Sequence, residues 1–401
     1  MSIIGIIVLI AIAIAFSENR KAINFRTVGA AFALQAIFAC FVLYIPFGQE
    51  VLASVSSGVQ VVINYADAGI QFLFGDLARE KLGFIFAFNV LPVLIFFSAL
   101  VSVLYYLGIM QKIIQVIGRF FQYVMGTGHA ESLSATANIF VSQTEAPLII
   151  RPYIAGMTRS ELFAVMVGGM ASIAGSLLVG YSNMGVELKY LIASSFMAAP
   201  GGLMMAKIVV PELGKPHEAA VDIEFDQDAK PANVIDAAAS GAISGMKLAV
   251  NIGAMLIAFI ALIALINGSL SGLSGLLGLP EITMQKILGY VFAPVAYLIG
   301  VPWGEAVTAG GLIGQKVILN EFVAYVDFVA IKDSLVPESQ VVITFALCGF
   351  ANLSSIAILL GGLGSIAPGR RHDIAKLGLK AVLAASLANL MSAALASLFF
   401  V

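Results

Sequence analysis

Three glutamates interrupt segments that are otherwise apolar: Glu145, Glu305 and Glu321. An ionisable side chain inside a bilayer costs about 2.5–3.5 kcal/mol on insertion scales, so it generally marks a binding or transport site. Carboxylates accept hydrogen bonds from N–H and O–H groups, and the nearby Gln143 can both donate and accept. These groups suit a neutral polar solute. The alternative is that the glutamates lie in water at loop ends, and Glu305 could equally serve the structure of its own segment.

Small polar residues interrupt two other apolar segments beside glycines. Glycine next to small polar residues indicates helix unwinding at membrane depth, where carbonyls and hydroxyls suit a hard cation such as Na+. The alternative is that small residues simply let helices pack closely. The polar members are Ser172, Asn352, Ser354 and Ser355, and the glycines are Gly168, Gly169 and Gly349.

Several kinds of chemistry are disfavoured. The sequence contains no Gly-x-Ser-x-Gly, His-Glu-x-x-His or Walker motif, so an intramembrane enzyme or an ATP-driven pump has no visible machinery. Two cysteines in apolar stretches predict neither a disulfide framework nor a metal site. A net charge of −2 argues against nucleic-acid binding. We expect secondary transport, with no organic cofactor.

The elements that position these residues must lie in a membrane. Of 401 residues, 60% are hydrophobic and 11% are charged, and the mean hydropathy is +1.00. A soluble chain of this length carries about 25% charged residues, so the bilayer must serve as solvent. We predict an all-α membrane protein with eight transmembrane helices at 2–16, 27–47, 84–109, 161–182, 188–210, 239–266, 340–364 and 376–400.

Other segments differ in character. Residues 50–75 and 111–125 mix polar and apolar residues at helical spacing, which predicts amphipathic helices at the interface. Residues 212–232 form the one obvious soluble loop. With the N-terminus outside, the Lys and Arg residues divide 15 to 6 between the two sides. The positive-inside rule therefore places both termini in the periplasm or exterior.

Residues 128–155 and 284–331 fit neither class. Each has a polar, proline-containing segment inside apolar arms that are too short to cross alone. The first contains Asn138-Ile-Phe-Val-Ser-Gln-Thr-Glu-Ala-Pro147, and the second contains Val301-Pro-Trp-Gly-Glu-Ala306 and, further on, Asn320-Glu-Phe-Val-Ala-Tyr325. Both ends of each segment lie on one side of the membrane in this orientation. We predict two re-entrant hairpins with the proline-containing segments as their tips, covered by protein or a watery cavity.

The two hairpins are followed by related helices. Residues 162–175 align without gaps with residues 342–355 at an offset of about 180, sharing a glycine, an alanine and then a polar residue. The two segments enter the membrane from opposite sides. This predicts an inverted repeat, which places a binding site near the bilayer midplane.

Four segments resemble the signature segments of the concentrative nucleoside transporters: Gln143-Thr-Glu-Ala-Pro147, Val301-Pro-Trp303, Asn320-Glu-Phe-Val-Ala-Tyr325 and Gly349-Phe-Ala-Asn-Leu-Ser-Ser-Ile356. They span essentially the whole chain, in order. Gly304 departs from the resemblance, because a polar residue is expected there. The resemblance implies a bacterial inner-membrane homotrimer with an elevator-type mechanism.

The resemblance also implies site residues. The nucleobase would face Gln143, Thr144 and Glu145. Glu321, Asn352 and Ser355 would hold the ribose, with Phe350 in the same motif. Sodium would be bound by Asn138, Val141, Thr144, Ser172 and Ile173.

The implied organisation alternates two domains. Scaffold helices and the interfacial helix occupy 1–125, and the first hairpin with two helices occupies 126–212. A cytoplasmic loop and a scaffold helix occupy 213–275, and the second hairpin with the last two helices occupies 276–401. The expected function is Na+-driven import of uridine-like nucleosides. The alternatives are a proton-coupled nucleoside symporter using Glu145 or Glu321, an intramembrane enzyme, and a channel.

Overall fold

A computed structural model describes residues 1–78, 84–214, 231–278 and 280–400. Within these ranges the regular structure is helical. The first half contains α1 (Ser2–Ala15), α2 (Phe25–Leu43), α3 (Pro46–Asn64), α4 (Ala66–Phe74), α5 (Phe86–Asn89), α6 (Leu91–Tyr106), α7 (Ile109–Met125), α8 (His129–Ala137), α9 (Ala146–Ile149), α10 (Arg151–Ile154), α11 (Arg159–Ala171), α12 (Gly175–Asn183) and α13 (Leu188–Val209). The second half contains α14 (Val234–Leu276), α15 (Met284–Leu298), α16 (Trp303–Ile318), α17 (Glu321–Ile331), α18 (Pro337–Leu347), α19 (Ser354–Gly361), α20 (Leu363–Ile366) and α21 (Arg371–Phe399).

The predicted spans correspond to helices of this fold. Among the described residues, six continuous or nearly continuous helices are long and apolar enough to cross a bilayer. The other two predicted spans are α1, which has 14 residues, and the interrupted run α18–α19–α20. The six are Phe25–Leu43, Phe86–Tyr106, Arg159–Asn183, Leu188–Val209, Val234–Leu276 and Pro368–Phe399. The prediction of an all-α membrane protein is confirmed.

The inverted repeat extends over more of the chain than the aligned segments showed. The order from α6 to α13 is a long helix, an amphipathic helix, a hairpin, an interrupted span and a long helix, and α14 to α21 repeats that order. The first helices of the two repeats pack together, because Gly241 and Gly245 of α14 bring its backbone against α6. A Cβ atom on Gly241 would lie 2.7 Å from Ala99 Cα, and one on Gly245 would lie 2.7 Å from Ile95 Cα.

The second hairpin differs from its prediction. Its tip is Leu319-Asn320, between α16 and α17, whereas the proline-containing segment Val301-Pro302 directly precedes α16, with Pro302 as its N-cap residue, after a bend of 116° from α15. The predicted tip is therefore wrong. Proline is favoured in the first turn of a helix, and here it starts a hairpin arm. Asn320 makes the turn by accepting a hydrogen bond from Val323 N at 2.9 Å.

The position of the second tip also decides the environment of Glu305. This residue lies in the first turn of α16, where its Oε1 accepts a hydrogen bond from Val336 N at 3.0 Å, just before α18. Trp303 beside it is 63% exposed. Glu305 therefore joins the base of the hairpin to the next helix, which is the structural alternative considered for it.

Both amphipathic segments are helical, as α3–α4 and α7. The predicted loop at 212–232 lies largely outside the described residues, which resume at residue 231. Helix α14 has 43 residues and is much longer than the predicted span. Helices α1 and α2 pack against α13 and α21, for example through a hydrogen bond from Gln35 Nε2 to Ser392 Oγ at 2.9 Å. The division into scaffold and transport domains stays a prediction.

Candidate substrate and ion site

The interruptions of the two repeat-related spans meet at one place. Helix α11 ends before Ser172, whose backbone is extended, and α18 ends before Cys348. The Phe350 backbone N–H donates to Ser172 O at 3.3 Å, joining the two unwound segments directly. Asn389 of α21 donates from Nδ2 to Ala171 O at 2.6 Å and to Cys348 O at 2.9 Å. Free helix ends therefore converge at one place in the fold, where the unwound segments after Ala171 and Leu347 meet, and we call this place the crossing.

Glu321 lies beside this crossing, at the first position of α17. It is 3% exposed. Its Oε1 accepts a hydrogen bond from Tyr181 Oη at 3.0 Å, and its Oε2 accepts one from Asn352 Nδ2 at 3.1 Å. The carboxylate is thus held between α12 of the first repeat and the unwound segment of the second.

A hydrogen-bond network continues from Asn352 to the first hairpin. Asn352 Oδ1 accepts bonds from the backbone N–H and the hydroxyl of Ser355, at 2.9 Å and 3.1 Å. Gln143 Nε2 lies 3.4 Å from Ser355 Oγ as its donor. Gln143 is buried, and its Oε1 has no hydrogen-bond partner among the described residues. The structure therefore brings Gln143, Ser355, Asn352 and Glu321 together, with one acceptor free.

Phe350 connects this network to the other interruption. Its backbone N–H donates to Ser172 O, and its carbonyl accepts from Ser355 Oγ at 2.6 Å. Phe350 is half-buried. The Phe350 backbone therefore connects the predicted ion ligands to the predicted ribose ligands, through one hydrogen bond at its N–H group and one at its carbonyl group.

Glu145 faces a different space. It is exposed, and its Oε2 accepts bonds from Ser142 N and Ser142 Oγ, both at 2.9 Å. It lines a cavity of 290 Å³ between the first hairpin, α6 and α14. The hydroxyls around this cavity come from Ser98, Ser102, Tyr105, Ser176, Ser240 and Ser244. Glu145 thus lies beside the Gln143 network, on the side that faces α6 and α14.

The predicted sodium ligands lie where the first hairpin meets the interruption of α11–α12. The Gly175 N–H donates to Phe140 O at 3.0 Å, which fastens the hairpin turn to this interruption. Asn138 donates from Nδ2 to Ser134 O at 2.9 Å, while its buried Oδ1 has no hydrogen-bond partner in the part of the chain that the structure describes. Ser172 Oγ donates to Gly168 O at 2.9 Å. An orphaned amide oxygen near unwound backbone fits a hard cation.

The remaining members of that set are arranged as follows. Val141 and Ile173 are buried and apolar, so each can offer an ion only its carbonyl oxygen. Thr144 Oγ1 lies 3.0 Å from Ser142 Oγ. A Cβ atom on Gly362 would lie 2.9 Å from the Thr144 methyl group, so Thr144 packs the first hairpin against the junction of α19 and α20.

Sequence reasoning missed three polar residues at the crossing: Tyr181, Lys316 and Asn389. The 15-to-6 division of Lys and Arg residues includes Lys316, but this residue is 2% exposed within α16. Lys207 was counted in the same way, and it is buried against Glu131 with Nζ 2.8 Å from Oε2. The positive-inside tally therefore contained two buried lysines. The sequence does contain an indication of Asn389, because an amide side chain is unusual within a helix as apolar as α21.

Two opposed hairpins, two interrupted spans and a buried polar site define a secondary transporter. Family models match three stretches of the chain: "Na+ dependent nucleoside transporter N-terminus" over 4–77, "Nucleoside recognition" over 87–188 and "Na+ dependent nucleoside transporter C-terminus" over 190–397. The chain belongs to the Na+-dependent nucleoside transporter family. It is a nucleoside transporter and not an enzyme.

Relatives support the same assignment. The nucleoside permease NupC of Helicobacter pylori is 48% identical over 99% of this chain and 97% of its own. Among solved structures, CNTnw in an inward-facing substrate-bound state is 55% identical with a TM-score of 0.95, covering 99% of this chain and 97% of that one. A doubly substituted CNTnw in an outward-facing state is 55% identical with a TM-score of 0.97, at the same coverage of both chains.

Proposed function

We propose that this protein is a symporter that imports uridine-like nucleosides, driven by a Na+ gradient. The observation that carries the proposal is the backbone of Phe350. It joins Ser172 of the ion ligands to Ser355 of the nucleoside ligands through two hydrogen bonds. Ion binding and nucleoside binding would therefore act on the same few backbone atoms, as coupling requires.

The nucleoside ligands have the chemistry for this substrate. Glu321 and Asn352 offer acceptors and a donor for the ribose hydroxyls, and Ser355 adds a hydroxyl between them. Gln143 has a free buried Oε1 for an N–H group of the base. Glu145 is exposed and lines the serine-rich cavity, so its contact with the base would be direct or through a bridging water. The substrate is neutral, and this set supplies no arginine clamp.

Sodium would be bound on the other side of Phe350. The orphaned Oδ1 of Asn138 is the strongest ligand candidate. The hydroxyls of Thr144 and Ser172 and the carbonyls of Val141 and Ile173 complete an all-oxygen set, which Na+ accepts. Binding would order the first hairpin, which also supplies Gln143.

Transport would proceed by an elevator-type movement. The hairpin-bearing parts, 126–212 and 276–401, would move against a scaffold of 1–125 and 213–275. The scaffold would assemble a homotrimer in the bacterial inner membrane, with both termini periplasmic. Solved inward-facing and outward-facing structures of CNTnw support alternating access in a similar protein.

The test is uridine binding measured by calorimetry in detergent, with choline replacing Na+ at constant ionic strength. Uridine affinity should rise with Na+, and Ser172→Ala and Thr144→Ala should shift that rise to higher Na+. Ser269→Ala is the matched control, because Ser269 Oγ also donates to a carbonyl one turn back, at 2.8 Å, but at an exposed site on α14. If the uridine affinity of the native protein does not change with Na+ concentration, the proposal is ruled out.

Proton coupling is the second candidate, and one observation favours it. Glu321 is buried, and its two described hydrogen bonds come from neutral donors, Tyr181 and Asn352. A carboxylate in such a place can exchange a proton. Uridine uptake into proteoliposomes that follows a pH gradient without Na+, and is lost in Glu321→Gln, would select this candidate instead.

A further inference from the structure

Lys316 is a buried cation that the proposed transport cycle does not use. It lies on α16 and is 2% exposed. Its Nζ donates to Ala346 O at 2.8 Å and to Asn389 Oδ1 at 2.7 Å. Both acceptors belong to neutral groups. Burying an ammonium group costs several kcal/mol before compensation, so its presence calls for a specific electrostatic partner.

The Glu321 carboxylate interacts electrostatically with Lys316, and helix ends supply further partners that contact the ammonium group directly or through Asn389. Ala346 lies in the last turn of α18. Asn389 passes the interaction on, because its Nδ2 donates to Ala171 O at the end of α11 and to Cys348 O at the end of α18. Carbonyls at helix C-termini carry about half a negative charge in sum. Lys316 therefore sits where two such ends converge, one directly and one through Asn389.

The two repeats differ at this position. Lys316 comes five residues before the hairpin glutamate Glu321, and the residue five before Glu145 is Phe140. The first repeat has instead the unpartnered Oδ1 of Asn138 beside its interruption. One repeat thus offers oxygen atoms to an exchangeable cation, and the other carries a cation on its own side chain.

We propose that Lys316 is a positioning residue for nucleoside binding, whose ammonium group is a tethered cation that holds the two interrupted spans together at their crossing. It fixes Ala346 directly and Cys348 through Asn389. These residues lead at once into the unwound segment that presents Phe350, Asn352 and Ser355. The inference rests on the proposed nucleoside site, because it assigns Lys316 the role of holding the nucleoside ligands of the unwound segment in their positions.

The segment at Gly349 packs closely against α11 and Asn389, so it cannot easily adopt another position. A Cβ atom on Gly349 would lie 2.7 Å from both Ala171 O and Asn389 Nδ2. The segment can therefore approach α11 only because residue 349 is glycine. Loss of the ammonium group would free Ala346 O at the end of α18 and remove the bond that holds the Asn389 amide in place.

Chemical rescue tests the proposal. A cavity of 400 Å³ between α1, α15, α16 and α21 has Lys316 and Ser386 in its lining, which gives a small amine a route to the space vacated in Lys316→Ala. We expect this variant to bind uridine about tenfold or more weakly at saturating Na+, the loss typical of hydrogen bonds to a charged group. Ethylammonium should restore affinity. Tetramethylammonium has the charge but no N–H donor, so it should not.

Lys286→Ala is the matched control, because Lys286 is an exposed lysine on α15 whose Nζ contacts Glu281 O at 3.0 Å. This variant should have native uridine affinity, and neither amine should change that affinity. Native affinity in Lys316→Ala would overturn the proposal. So would a weakening that ethylammonium fails to reverse, since that result would assign Lys316 to packing alone.

A second variant covers the case in which Lys316→Ala does not fold. Asn389→Asp preserves volume and the acceptor for Lys316 but removes both hydrogen bonds donated to Ala171 O and Cys348 O. It should weaken uridine binding, and native affinity in it would overturn the proposal. Absence of uridine binding by the native chain in Na+ would instead contradict the proposed function, before any variant is compared.

Discussion

Tyr181 donates a hydrogen bond to Glu321 across the two repeats, with Oη 3.0 Å from Oε1. The Tyr181 ring also packs against Tyr325, with ring centroids 4.5 Å apart. Tyr181 of α12 therefore orients the Glu321 carboxylate of α17 through one oxygen, while packing against the next turn of α17 through its ring. Because both residues are fully or almost fully buried, the orientation of Glu321 depends on protein contacts rather than on water.

Removing this hydrogen bond should weaken nucleoside binding without abolishing it. We expect Tyr181→Phe to raise the uridine Kd about 2- to 13-fold, since one intramolecular hydrogen bond contributes roughly 0.5–1.5 kcal/mol. Glu321→Ala should abolish uridine binding, because it removes the ribose acceptor itself. Calorimetry on both variants at saturating Na+ makes the comparison, and a larger loss in Tyr181→Phe than in Glu321→Ala would contradict the arrangement.

The free Oε1 of Gln143 leads to a prediction about the base. Gln143→Ala should weaken uridine more than it weakens ligands that consist of the ribose portion alone, because only uridine presents a base edge. Competition binding against labelled uridine measures both affinities in one preparation. Equal losses for the two ligand classes would place Gln143 away from the base.

The crossing of the interrupted spans should tolerate no side chain at residue 349. We expect Gly349→Ala to destabilise the protein by about 1–3 kcal/mol, the usual cost of forcing a methyl group into a packed core. Gly361→Ala is the control, because no atom of the described residues beyond its own helix backbone and chain neighbours lies within 4 Å of its added Cβ atom. Thermal unfolding in detergent compares them, and an unchanged midpoint for Gly349→Ala would show that the crossing is looser than described.

Glu18 gives a prediction about pH. Its side chain contacts Arg159 Nη2 at 3.0 Å and Lys380 Nζ at 2.7 Å. Chiefly because of the Arg159 hydrogen bond, with Lys380 adding to it, the pKa of Glu18 falls to about 2. An unperturbed glutamate has a pKa near 4.3, so the stabilisation is present above that pH and is lost as the pH falls towards 2.

Glu18→Gln should therefore lower stability at pH 7 by about 0.5–1 kcal/mol, as expected for an exposed ion-pair network, and by progressively less below pH 4. Glu187→Gln is the control, since Glu187 is an exposed partner of Lys189 at 3.9 Å. Thermal unfolding between pH 3 and pH 7 provides the measurement. A constant difference across that range would exclude the Glu18 carboxylate as its source.

Much of the fold follows from the order of apolar segments, because length and hydropathy decide what can span a bilayer. The interruptions at Ser172 and Asn352 were also visible, since glycine and small polar residues weaken a helix. The second hairpin tip was not. Proline at position 302 fits the first turn of a helix as well as a turn between helices, and only the packing of α15 on α16 decides between them.

The site was harder to predict than the fold because its polar residues support one another across the two repeats. Asn389 follows no motif, and its importance arises from reaching Ala171 and Cys348 at once. The burial of Lys316 could not be read from the sequence, because a single lysine between apolar residues can lie either at a membrane surface or inside the protein. Only the three-dimensional crossing shows that it faces carbonyl groups.

The length of α14 has a consequence for movement. Its 43 residues rise about 65 Å, roughly twice the ~30 Å hydrocarbon layer. Exposed apolar side chains continue along it from Ile235, which is 81% exposed, to Leu276, which is 86% exposed. The helix must therefore run obliquely, project beyond the apolar layer, or both. Any part of the protein that follows an oblique α14 on its way through the membrane would also travel sideways, so its displacement would have a component in the plane of the bilayer.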